Sequence, residues 1–286
     1  MSELYTLQAR PALHEPLLVV TLEGWIEAGL GAAAAMAAVM GGIETELVAT
    51  YDADVLLDHR ARRPVLRIVD GVNTMLMWPE IQMRAGRSKD GRDVLFLVGP
   101  EPDHQWRAFA QSVTELAGTF GVTMMVGLGA FPAPVPHTRP SRLASTATSV
   151  ELARQVGFVP GTIDVPAGVQ AALERQFAEL GVPAVGLWAR VPHYAAAMPY
   201  PEASVVLLEG LERLTGIAVD AGELREASES ARRRLDELIA NSDEHAALVH
   251  QLEAQVDAES ERPFGAIPSG EELAAELERF LREENS

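Results

Sequence analysis

Three segments carry the residue types best suited to chemistry. Pro136-His137-Thr138-Arg139-Pro140 sets an imidazole, a hydroxyl and a guanidinium in succession between prolines. A guanidinium holds a carboxylate or phosphate through two parallel hydrogen bonds, and an imidazole exchanges protons near neutral pH. His193-Tyr194 repeats the theme further along, either as an acid and base or as hydrogen-bonded lining. Gly24-Trp25-Ile26-Glu27-Ala28-Gly29 places aromatic surface beside a carboxylate, just ahead of an alanine-rich run whose first backbone N–H groups are open to an anion. Each segment also has a purely structural explanation. Glu27 competes with such an anion as a helix cap, Trp25 can staple the turn, and prolines around Arg139 suit a rigid loop tied by a salt bridge.

Other motifs narrow the chemistry. Gly29-Leu30-Gly31-Ala32-Ala33-Ala34 matches a dinucleotide-binding pattern, with Asp52 about 20 residues on, where a ribose-binding acid falls. In that fingerprint the glycine follows its strand directly, whereas here Glu23 to Ala28 intervene, so no cofactor is expected. The seven histidines form no His-Glu-x-x-His pair and there is no cysteine, which leaves no expected metal site. Gly-x-Ser-x-Gly and phosphate-loop Gly-Lys-Ser/Thr motifs are absent, and Lys89 is the sole lysine. The commonest hydrolase and nucleotide-hydrolase mechanisms thereby lose their residues, and no residue is assigned to catalysis.

The elements that must position these groups follow from periodicity. Leu17 to Leu22 is apolar except for Thr21, as in a strand covered on both faces, and the helix from Leu30 follows it. The intervening loop lies at the carboxyl end of the strand, where open α/β sheets place their ligands. Gly41-Gly42 stops the helix and Glu44 to Tyr51 supplies a second strand, a βαβ arrangement. Pro64 to Val69 and Thr74 to Trp78 flank Asp70-Gly71 and predict a hairpin that extends the sheet antiparallel. Asp93 to Val98 and Val122 to Leu128 are further buried strands, the latter closed by Gly127-Leu128-Gly129-Ala130. Between them, Asp103 to Phe120 shows one apolar helical face.

Residues 131–149 read as irregular, followed by a helix at Val150 to Val156, a short strand at Thr162 to Val165, a helix at Pro166 to Leu180 opened by its proline, a strand at Pro183 to Ala189, and a helix at Glu202 to Thr215. This alternation predicts a three-layer α/β/α sandwich with a mostly parallel sheet plus a β-hairpin, spanning 1–219. Residues 220–286 differ. From Ala221 onward 17 acidic residues face 7 basic ones, and a seam from Leu224 through Leu235, Leu238, Val249 and Leu252 to Val256 repeats at four and three. With a final helix from Glu271 to about Glu283, this reads as a C-terminal helical appendage on its own body or on a neighbouring subunit.

At 48% hydrophobic and 22% charged, the 286-residue chain can bury a large core. Its net charge of −18 repels nucleic acid and anionic membranes. No apolar run approaches about 18 residues and the amino terminus shows no signal pattern, so a cytoplasmic protein is expected.

Gly24-Trp25-x-Glu27-Ala28-Gly29, the segment Pro64 to Pro79 with Asp70-Gly71 and Trp78-Pro79, Pro136 to Pro140, and Val191-Pro192-His193-Tyr194 occur in that order. Together they resemble the proteasome assembly chaperone family, type-two branch, in its actinobacterial form, from about residue 15 to the end. The resemblance implies a phosphorylase/hydrolase-like fold, self-association with a trimer as the suggested count, and a non-enzymatic assembly role. The resemblance further implies that those family members that dock on proteasome rings often do so through a carboxyl-terminal hydrophobic-tyrosine-any tail. This sequence ends Arg282-Glu283-Glu284-Asn285-Ser286, a departure that disfavours such docking. The competing expectation is a small-molecule-binding protein or enzyme, with a cleft formed by loops 23–31, 129–140 and 191–194.

Overall fold

A computed structural model describes residues 4–24 and 26–261. Trp25 and the helix expected from Glu271 lie outside the described residues. In chain order the elements are β1 (Tyr5–Leu7), β2 (Leu17–Glu23), α1 (Gly31–Gly41), β3 (Thr45–Tyr51), α2 (Ala53–Leu56), β4 (Val65–Val69), β5 (Val72–Met77), β6 (Gln82–Arg87), β7 (Asp93–Pro100), α3 (Trp106–Thr119), β8 (Met124–Ala133), β9 (Leu143–Ala147), α4 (Val150–Val156), α5 (Val169–Glu179), β10 (Ala184–Pro192), α6 (Pro201–Thr215), α7 (Gly222–Ala240) and α8 (Asp243–Glu261).

The main sheet has the order β1-β3-β6-β7-β2-β8-β10-β9. Its centre, β7-β2-β8-β10, is parallel, and it is built from the continuous apolar runs that a sheet covered on both faces demands. β3 runs the same way, while β1, β6 and β9 oppose it. One core cluster joins the sheet to α1 and α6 through Ala35, Val39, Val126, Leu187 and Leu207. The other joins it to α3 and α5 through Leu18, Leu95, Phe109, Val113 and Phe177. The three-layer sandwich is therefore the architecture of the body. α7 and α8 form a helical hairpin broken at Asn241-Ser242, and α7 packs on α6 with Leu235 entering the first cluster.

Several local expectations are corrected. β3 does not lie beside β2, because β6 and β7 are inserted between them. β6 buries Met83 and Ala85 between Gln82, Arg84 and Arg87, so its polar half hides the strand from a reading based on apolar runs. The antiparallel extension is supplied by β6, whereas the hairpin β4–β5 forms a separate two-stranded sheet. Its two-residue turn has φ of +50° at Asp70 and +80° at Gly71, as the favoured hairpin turn requires. Residues 131–149 contain the end of β8 and all of β9. Thr162 to Val165 joins no sheet among the described residues. α5 starts at Val169, later than Pro166, because the Glu101 carboxylate accepts the Val169 N–H at 2.6 Å and fixes the first turn there.

Candidate functional site

The loops after β2, β8 and β10 meet at the carboxyl end of the parallel strands. Glu27 forms a parallel bridge to Ala130. Gly29 N–H donates to the Ala196 carbonyl and Tyr200 N–H to the Gly29 carbonyl, both at 2.8 Å. Gly29 has φ +65°, and a Cβ on it would stand 2.6 Å from the Tyr200 Cβ, so both conformation and space require glycine. Gly24 lies at the same rim, where the Glu101 side chain occupies the space a Cβ would need. Gly129 is buried in β8, with the Trp188 ring laid over its Cα.

Glu27 caps α1. Its Oε1 accepts the N–H groups of Ala32 at 2.9 Å and Ala33 at 3.2 Å. Burial pushes its carboxyl up, against those two hydrogen bonds and together with the nearby charge of Glu23. The helix start thus already carries a carboxylate. Asp52, the acid in the dinucleotide pattern, caps α2 by accepting from Asp54 and Val55.

His137 is buried, and its ring joins a chain of three groups. Its Nδ1 lies 2.7 Å from the Tyr194 hydroxyl and its Nε2 3.1 Å from Asp236 Oδ1 on α7. The Tyr194 hydroxyl also accepts the His137 backbone N–H at 2.9 Å. The network assigns the Nε2 proton to the Asp236 bond and the hydroxyl proton to Nδ1. An Asp-His-hydroxyl order matches the polarity of a nucleophilic triad. Here, however, burial raises the Tyr194 phenol, with Glu253 and Asp236 adding to the shift against the His137 N–H, which favours the neutral hydroxyl. His193, which precedes it in the chain, is exposed, with its ring edge-to-face with that of Tyr194 and the centroids 5.4 Å apart.

The neighbouring residues also face the appendage. Arg139 donates through Nε and Nη2 to both carboxylate oxygens of Asp257, each at 2.8 Å, and through Nη1 to Glu253 at 3.1 Å. Thr138 Oγ1 donates to the same Glu253 oxygen at 2.5 Å. Hydrogen bonding to Arg139 holds Asp257 low, and bonding from Thr138 holds Glu253 low. Of the expected residues, Glu27, Gly29, His137, Thr138, Arg139 and Tyr194 are therefore drawn together with their partners, and His193 is exposed beside Tyr194. Asp236, Glu253, Asp257 and Glu101 were not singled out by sequence. Glu253 and Asp257 are like charges at i and i+4, a destabilising spacing on a lone helix, and that spacing was the available signal for a cation opposite.

The cavity beside these loops, lined by Pro136, Arg139, Arg190, Tyr200 and Val256 among others, measures about 20 Å³. That is room for a water molecule, against roughly 300–1,000 Å³ for a ligand pocket. A wider groove of about 580 Å³ lies at the opposite end of the strands, between Leu13, Glu44 and Asp93. Among the described residues, no cluster of three His, Asp or Glu side chains is arranged to hold a metal, and no helix is long and apolar enough to cross a membrane.

Comparison with known proteins agrees with the architecture. The family model of the PAC2 family matches residues 21–239, and the chain belongs to that family. It is similar to a Corynebacterium glutamicum protein of unknown function, at 30% identity and TM-score 0.85 over 91% of this chain and 99% of that one. A Mycobacterium tuberculosis protein of unknown function is similar at 35% identity and TM-score 0.82, over 90% and 92%. A proteasome-assembly chaperone homologue from the same organism matches at 33% identity and TM-score 0.76, over 82% of this chain and 99% of that one. No curated protein matches the sequence.

Proposed function

We propose that this chain is a non-enzymatic, assembly-chaperone-like protein of the cytoplasm whose partners are proteins: further copies of itself and, by contacts other than the hydrophobic-tyrosine-any tail, proteasome subunits. In this reading residues 1–219 are the α/β/α body and 220–286 an appendage, of which α7 and α8 occupy the rim. The observation that carries the reading is the saturation of that rim. His137, Thr138 and Arg139 are engaged by α7 and α8, and the space between the loops holds about one water. The similarity to a proteasome-assembly chaperone homologue supports the choice of partner. The net charge of −18 weighs against nucleic acid.

Two measurements test it. Purified proteasome α-subunits mixed with the protein should form a complex at micromolar concentration and assemble into rings at an altered rate. No association, with or without the residues from Ala221 onward, would dispose of the partner. A metabolite thermal-shift screen should return no ligand; a shift that disappears in Arg139→Ala would establish a binding site instead.

A further inference from the structure

α8 is tied to the body by charge more than by core packing. Its buried apolar residues, Val249 and Leu252, belong to neither of the two core clusters, whereas Leu235 of α7 sits in the first. What holds α8 is the loop after β8, where Arg139 meets Glu253 and Asp257, and Thr138 meets Glu253. The Asp257 side chain is 52% exposed, so water and salt weaken the outermost of these pairs. Between the two helices the chain turns at Asn241-Ser242, the joint about which α8 alone would swing.

Beneath α8 three guanidinium groups converge. Arg139, Arg142 and Arg190 line one cavity, which Val256 of α8 also borders, in a protein of net charge −18. The Nε of Arg190 is enclosed and has no hydrogen-bond acceptor among the described residues. A buried guanidinium nitrogen left without an acceptor is costly, and a carboxylate is the group that suits it best. α8 itself holds six acids and neither Lys nor Arg, and Glu253 and Asp257 repel each other at i and i+4 unless a cation stands opposite. The match to the PAC2 family model takes in the loop and most of α7 and stops at residue 239, before α8.

We propose that this rim is the docking site for an acidic amphipathic helix of a protein partner, and that α8 is an internal stand-in that keeps it shut. α8 specifies the occupant. It offers two carboxylates one turn apart to Thr138 and Arg139, each preceded by an aliphatic residue, Leu252 and Val256. A partner helix with that pattern and a further carboxylate for Arg190 replaces the contacts α8 gives up and adds one. α7 stays in place, so the Asp236-His137-Tyr194 chain is undisturbed. Against a nucleic acid or an anionic membrane stand the 17 acids and 7 bases from Ala221 onward, which repel an extended polyanion before it reaches the arginines. The inference rests on the reading that the partners are proteins, and not on the proteasome subunits as the partner.

The probe is a fluorescent peptide of residues 243–261, read by anisotropy against the full-length protein. Wild type should bind it weakly, because the tethered α8 competes at a high effective concentration. Glu253→Gln with Asp257→Asn, which loosens the resident helix, should bind the peptide about tenfold more tightly, at roughly micromolar Kd and with unchanged circular dichroism. Adding Arg139→Ala or Arg190→Gln should abolish that gain. The wild type alone supplies a second measurement: hydrogen exchange across Asp243–Glu261 should quicken as salt rises while α7 stays protected. Equal peptide binding by wild type and double variant overturns the proposal, as does exchange of α8 in step with α7. Equal binding of a scrambled peptide of the same composition also overturns it, and so does release of α8 by RNA or anionic vesicles but not by the peptide. A peptide that fails while proteasome α-subunits still bind strikes this inference alone, and the reverse result strikes only the choice of partner.

Discussion

The rim at 134–140 and the hairpin at 65–77 make opposite use of their side chains. At the rim, groups with the widest chemical repertoire are each matched inside the chain: His137 by Tyr194 and Asp236, Arg139 by Glu253 and Asp257. On the hairpin, valines, isoleucine and methionines with no chemistry beyond their surface are left largely exposed among the described residues. Residue type alone points to the first region as functional. Whether a group's interactions are already met points to the second.

That contrast can be broken first at Gly29. Gly29→Val forces a β-branched residue into φ +65° and against Tyr200, and should cost about 4 kcal/mol by urea unfolding. A loss below about 1 kcal/mol would mean the rim is loosely tied. Glu174 separates being partnered from being stabilised. It lies beneath the sheet, accepts from Thr146 at 3.0 Å and from Gln170 at 3.4 Å, and burial still pushes it up to about 7. The folded state then keeps its proton while the unfolded chain releases it near 4.5, so stability should fall by on the order of 3 kcal/mol as pH rises from about 4.5 to 7, then level off. Glu174→Gln should remove that slope; an unaltered slope would place its origin elsewhere.

His137→Leu should cost about 2 kcal/mol by losing hydrogen bonds at a buried position, read as a shift in denaturation midpoint. Gly71→Ala, with open space around its Cα and φ +80°, should cost about 1 kcal/mol, confined to the hairpin turn. The smallest global effect is expected for Arg139→Ala. Hydrogen exchange should quicken across Asp243–Glu261 while the unfolding midpoint stays put, whereas uniform exchange across the body would make that arginine a body residue.

The central strands, the face of α3 and the Asp70-Gly71 turn were legible because each depends on residues near in sequence. β6 and β9 were not. Gln82, Arg84 and Arg87 dilute one, and Leu143-Ala144-Ser145-Thr146-Ala147 is pinned in the other by its ladder to β10. At the site, the positions of Gly29, His137 and Arg139 at strand ends could be read. Their commitments could not, since Asp236 lies 99 and Asp257 118 residues away from their partners. Thr162 to Val165 has strand chemistry without a neighbour to pair with, a case in which local preference and tertiary context part company.

The Ser204 hydroxyl donates to the carbonyl of Gly31, 173 residues earlier. Such a closure delays maturation: while the ribosome is still making β10 and α6, α1 lies on the sheet without its neighbour in the same layer. A nascent chain halted before Tyr200 should therefore expose the alanine helix to proteases, and lose that sensitivity once α6 emerges.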